Sequence, residues 1–164
     1  MIRFRTKPKA VWVRGDHPML DASELAPYTK AEREQLEFLV EPMTPALVRE
    51  LREKHTRLRL GTMGETIGKE VDEDAYQQDL IDHIVKDWKG IADEDGNPLA
   101  CTRENKLKLF DYGYPLLGAC LVRMAQQLMS RMEEFDLKHR EEEEKNLDSS
   151  QSGLAEDNGK SERA

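Results

Sequence analysis

Six apolar residues, Leu117, Leu121, Met124, Leu128, Met132 and Phe135, recur at steps of 4, 3, 4, 4 and 3. That spacing holds one stripe of a 3.6-residue helix. It predicts a helix from Leu116 to about Lys138 that frays through the glutamates beyond. Tyr76, Leu80, Ile81, Ile84, Val85 and Trp88 follow steps of 4, 1, 3, 1 and 3, which predicts a second helix from Asp72–Asp74 to Trp88. A third begins at Thr44-Pro45, a capping Thr followed by Pro at the first helical position. Leu47, Val48 and Leu51 form its stripe, with His55 and Leu58 extending it. Gly61, Gly64 and Gly68 then break the pattern and read as a flexible connector.

Strand patterns are read at the beginning of the chain. Ile2–Arg5 and Ala10–Arg14 alternate, with Lys7-Pro8-Lys9 as the turn between them. Thr29 caps a short helical turn through Gln35, and the run from Leu36 to Glu41 reads as a strand that Pro42 stops. Between Ile84 and Phe110, Lys89-Gly90 supplies a helix stop and Asp95-Gly96-Asn97-Pro98 a turn. Thr102 then caps a helix over Arg103–Tyr112, and Gly113-Tyr114-Pro115 breaks the chain again. The expected fold is mainly α: a helical domain with a small N-terminal β element and a disordered acidic C-terminal tail. The expected divisions are 1–43, 44–140 and 141–164.

Charge changes this picture mainly at the tail. The 164 residues carry a net charge of −8, and eight acids face three bases between Glu141 and Ala164. The body is therefore close to balanced, without the basic excess a nucleic-acid binder shows. No stretch has the length and apolarity of a membrane span, and the first residues lack the apolar run of a signal peptide. Cys101 and Cys120 allow one disulfide but form no zinc-type spacing.

Candidate chemistry is thin. Asp93, Asp95, Asn97 and Glu104 resemble a calcium loop, but Pro98 occupies the sixth position, where such a loop needs Gly. Asp79, His83 and Asp87 lie at i, i+4 and i+8 and would share a helix face; a solvated face is the commoner outcome of that pattern than a metal site. The four histidines are scattered, and no Ser or Cys sits in a nucleophile motif. No catalytic, cofactor-binding or metal-ligating residue is assigned. Trp88, Leu117, Leu121, Met124, Leu128 and Met132 are the candidate partner-binding residues, because aromatic and methionine side chains suit adaptable interfaces. Their periodicity alone favours ordinary core.

The string DWKGIADEDGNPLACTRENKLKLF (Asp87–Phe110), then Pro115, a long helix and EEEEKN (Glu141–Asn146), resembles the tail assembly chaperones of long-tailed phages and prophages. FLVEPMTPALVRELREKHT (Phe38–Thr56) resembles their strand-then-helix opening, so the similarity covers about residues 35–146. The resemblance implies a non-enzymatic protein of the host cytoplasm, absent from the finished virion. It would bind the aggregation-prone tape measure protein while tail-tube subunits polymerise, with tail-tube protein and self-association as further contacts. It also implies a short form of a product extended by ribosomal frameshifting; Glu144-Lys145-Asn146 can be encoded by an adenine run on which a ribosome slips, or equally by codons without one. The alternatives are a structural virion component, in the tail tube or at the head–tail connection, and a small host regulatory enzyme or metal protein.

Overall fold

A computed structural model describes residues 9–131 and Lys145. The expected strand Ile2–Arg5, Met132, Phe135 and all of the acidic tail except Lys145 lie outside the described residues. Contacts divide the chain into Met1–Met129 and Ser130–Ala164. In the second unit the described residues are Ser130, Arg131 and Lys145, all in helical backbone. Everything that follows concerns the first.

The fold is mixed α/β, and this corrects the mainly helical expectation. Five strands form two antiparallel sheets among the described residues: a three-stranded sheet and a separate hairpin. In chain order come β1 (Val11–Arg14), two single 3-10 turns (Pro18–Leu20 and Ser23–Leu25), α1 (Lys30–Gln35) and β2 (Glu37–Val40). There follow α2 (Pro45–Lys54), β3 (Thr56–Leu60), β4 (Thr66–Val71), α3 (Glu73–Ile84) and β5 (Val85–Lys89). After a looped segment come α4 (Arg103–Leu107), a π-helical turn (Lys108–Gly113) and α5, helical over 115–131.

Local chemistry explains the helix starts. The Thr29 hydroxyl accepts from the Glu32 amide while the Glu32 carboxylate accepts from the Thr29 amide, a reciprocal cap that lets six residues hold a helix. Thr44, Asp72 and Thr102 cap α2, α3 and α4 in the same one-sided way, each accepting an amide three residues on.

Two segments expected to be helix or linker are strand. The helix expected to reach Trp88 ends at Ile84, and Val85–Lys89 joins the sheet as β5, antiparallel to β2. Val40 pairs with Val85 but Leu39 pairs with Asp87, so Lys86 is an extra residue, a bulge. The bulge turns Val85 and Trp88, three apart, toward the same buried side, which imitates helical spacing within a strand. The expected Gly-rich connector is likewise the turn and second strand of a hairpin. Gly64, with φ +81°, sits in the turn between β3 and β4, and Leu58 belongs to β3 rather than to an extension of α2.

The helix expected over Arg103–Tyr112 is α only through Leu107 and widens into the π turn. Pro115 does not simply interrupt the chain; it occupies the first position of α5, where its missing N–H costs nothing.

One core joins these parts. Val13, Phe38, Val40, Val85 and Trp88 on one face of the sheet meet Leu80 and Ile84 of α3, Phe110, and Leu117, Leu121, Met124, Ala125 and Leu128 of α5. Phe110 lies 6.3 Å from Phe38 and 6.4 Å edge-on from Trp88, a tilted cluster that suits ring quadrupoles. Each buried Leu or Met of α5 contributes roughly 1.5–3 kcal/mol before entropy.

Candidate functional site

The residues expected to bind a partner are core residues here. Trp88, Leu117, Leu121, Met124 and Leu128 are all 9% exposed or less. Trp88 is fixed further by its indole N–H, which donates to the Leu99 carbonyl at 2.6 Å and so pins the returning loop. On α5 the large apolar side chains that face outward are Leu116 and Met129. Met132 lies outside the described residues.

The face expected from Asp79, His83 and Asp87 does not form. Asp87 is on β5, beyond the end of α3, and His83 faces Glu41 at 3.9 Å. Asp79 is buried and taken up by three side chains, Lys54, His55 and Arg103. Lys54 Nζ lies 2.6 Å and His55 Nε2 2.8 Å from its Oδ2, while Arg103 bonds Oδ1. Arg103 also reaches Asp82 at 3.0 Å, and the buried Lys106 ammonium donates to the Asp82 carboxylate and carbonyl. Hydrogen bonding by Lys54, ahead of that by His55 and Arg103, holds the Asp79 carboxyl well below the usual carboxylate range. The network therefore joins α2, α3 and α4 through charge.

The loop with the partial calcium-loop pattern is a turn closed by its own bonds. Asp93 accepts from the amides of Asp95 and Asn97, and Ala92 pairs with Pro98 across the turn. Among the described residues no group of three or more His, Cys, Asp or Glu is placed to hold a metal ion. Cys101 and Cys120 are free thiols, both half-buried, so the disulfide is not formed. No described helix is long and apolar enough to cross a membrane.

Two surface features remain. The first is a cleft of about 360 Å³, bordered by Leu25, Tyr28, Arg33, Leu36, Ile91, Leu99, Leu109 and Tyr114. The π turn forms part of its wall, since Tyr114 N–H bonds back five residues to the Leu109 carbonyl. Tyr28 and Tyr114 share a hydroxyl–hydroxyl bond of 2.8 Å at its edge, which pushes the Tyr114 phenol up to about 12. Glu24 caps α5 by accepting the Leu116 amide at 2.8 Å.

The second feature is the β3–β4 hairpin. Leu58, Leu60 and Ile67 are more than half exposed, and Met63 at its turn is 91% exposed. Arg57 and Arg59 alternate with Leu58 and Leu60 along β3, and on β4 Lys69 stands opposite Leu58 and Glu70 opposite Arg57. A two-stranded ribbon cannot bury both faces of itself, so these apolar side chains stand in water. The sequence signal was present in the strict R-L-R-L alternation after Thr56, but it lay behind a helical stripe that ran up to Leu58.

A family model for the YdaY prophage protein matches residues 42–147, most of the chain. The chain belongs to the YdaY prophage protein family. The matched span begins just ahead of α2 and takes in the β3–β4 hairpin, the ionic network and α5, so the features described above are largely features of the YdaY-matching segment. No curated protein and no solved structure matches the chain.

Proposed function

We propose that this YdaY-family chain is a non-enzymatic tail assembly chaperone that acts in the host cytoplasm, binding the tape measure protein and assisting assembly of the tail tube. The prophage family and the W-K-G, D-G-N-P and C-T-R-E-N series support the reading. The observation that carries it is the hairpin, four exposed apolar side chains on a ribbon attached to a closed core. An exposed apolar surface of this kind suits a partner that itself presents apolar surface, as an aggregation-prone helical protein does. In this reading Leu58, Leu60, Met63 and Ile67 replace the α5 stripe as the contact residues.

Co-expression with the large helix-rich protein encoded just downstream tests it. The expected result is that the partner becomes soluble and co-purifies with the wild-type chain. A partner that stays insoluble and unbound sinks the reading, and mass spectrometry of purified particles then decides for or against a structural virion component, which would be present where a chaperone is missing.

A further inference from the structure

The cleft beside the π turn is walled by Leu25, Leu36, Ile91, Leu99, Leu109 and Leu117. Its volume of about 360 Å³ falls at the lower end of small-molecule pockets, which span about 300–1,000 Å³. The π turn shapes this wall. Phe110 turns into the core, while Leu109 and Tyr114, joined by the backbone bond between them, border the cleft. Single turns of this kind recur at functional sites. The cleft also lies away from the ends of the described chain. It borders Leu36 and Gly90, at the end of the sheet where β1 leaves at Arg14, whereas β1 enters beside Val40. Leu117 stands in the first turn of α5, and Leu128 is about 16 Å further along the helix.

On this apolar border Arg33 of α1 stands half-buried, and its Nε is buried without a hydrogen-bond partner. A buried N–H left without an acceptor is costly, and native structures seldom keep one. The acid on the same border does not supply the acceptor. Glu32 is exposed and gives its carboxylate to the Thr29 amide and hydroxyl, and among the described residues no acid pairs with Arg33. The tyrosines at the edge add a further donor. Two phenols carry two hydrogens and their mutual bond uses one, so the pair of Tyr28 and Tyr114 keeps one O–H to give.

We propose that this cleft binds an apolar organic acid, with its hydrocarbon body among the leucines and its carboxylate held by Arg33. The charge of the border decides the ligand. One guanidinium balances one negative charge, and its Nε and Nη edge matches the two oxygens of a carboxylate. A phosphate carries more charge, and among the described residues that border the cleft Arg33 is the single cation. The same chemistry is offered by a free acid and by the apolar C-terminal residue of a peptide. The site does not depend on the chaperone reading, because it uses none of the hairpin residues.

Nuclear magnetic resonance titration of the full chain, read at the leucine and isoleucine methyls, tests it. Hexanoate is the free-acid probe and N-acetyl-leucine the peptide-end probe, each set beside its neutral amide. The expected result is saturable shifts at Leu36, Ile91 and Leu109 for at least one acid, with its amide binding about ten-fold more weakly. The acid that binds more tightly names the source. Arg33→Gln should bring that acid down to the affinity of its amide, with an unchanged circular dichroism spectrum. No saturable shift with either acid overturns the proposal. So do shifts confined to Leu58, Leu60 and Ile67 of the hairpin, amides that bind wild type as well as the acids do, or a folded Arg33→Gln chain that still prefers the acid.

Discussion

Replacing Asp79 by Asn would leave Lys54, His55 and Arg103 gathered around an uncharged amide. Breaking a buried ion pair from one side typically costs about 3–5 kcal/mol. Lys54 and Arg103 are 62% and 50% exposed and can recover water, which lowers the expectation to about 2–3 kcal/mol at pH 7. The pH dependence has a definite sign. The folded carboxyl is depressed, so its contribution is complete above the unfolded value of about 3.9 and is lost as pH falls toward the folded one. Urea titrations of wild type and Asp79→Asn should show a wide gap at neutral pH that narrows below about pH 4; a gap independent of pH would mean the carboxylate acts through shape alone. Tyr114 runs the opposite way. Its phenol is raised to about 12 by Tyr28, so its contribution holds below the unfolded value of about 10 and is lost as pH rises through 12. Ultraviolet titration of Tyr28→Phe should bring one late-titrating phenol back toward about 10.

The elements show where periodicity misleads. α1, α2 and the start of α3 were legible because capping chemistry is local: a Thr or Asp and its third neighbour settle the matter. β2 was legible from its alternation and from Pro42. β5 was not, because the Lys86 bulge places Val85 and Trp88 on one side at a helix-like spacing, and only the ladder to β2 distinguishes the two. The hairpin was hidden for a different reason. A helical stripe and a strand alternation overlap at Leu58, and three glycines nearby read equally well as turn or tether. Trp88, Leu117, Leu121, Met124 and Leu128 turned out buried because periodicity says which residues share a face, not whether that face meets core or partner. Gly90 is the element-scale test. It was expected to end a helix, yet it follows β5 with φ +77°, and a Cβ added there would run into the Gln35 carbonyl. A left-handed backbone costs an alanine about 1–2 kcal/mol before any clash. Gly90→Ala should therefore lower stability by about 2 kcal/mol or more, seen as an earlier urea midpoint with an unchanged slope. An alanine accepted without loss would mean that the α1–β2 corner yields easily.

For the molecule as a whole, the decisive contrast lies between its inside and its ribbon. Met124 is 4% exposed among Leu80, Ile84 and the sheet, whereas Leu58 and Leu60 are 62% and 60% exposed. An aspartate at Met124 loses a buried thioether and leaves a charge without a partner, a cost of several kcal/mol against a total stability of about 5–15. Met124→Asp should therefore lose helix signal and partner together, as a core position does. Two aspartates at Leu58 and Leu60 displace little packing, and surface changes of this kind fall within about 0.5 kcal/mol each. They do replace two exposed apolar side chains of the ribbon by charges. The expected outcome for Leu58→Asp/Leu60→Asp is a melting temperature close to wild type and loss of co-purification with the tape measure protein. Retained binding would move the contact away from the hairpin. A collapsed melting temperature would mean that the ribbon contributes to the fold, and its exposed side chains would then need a structural explanation before a functional one.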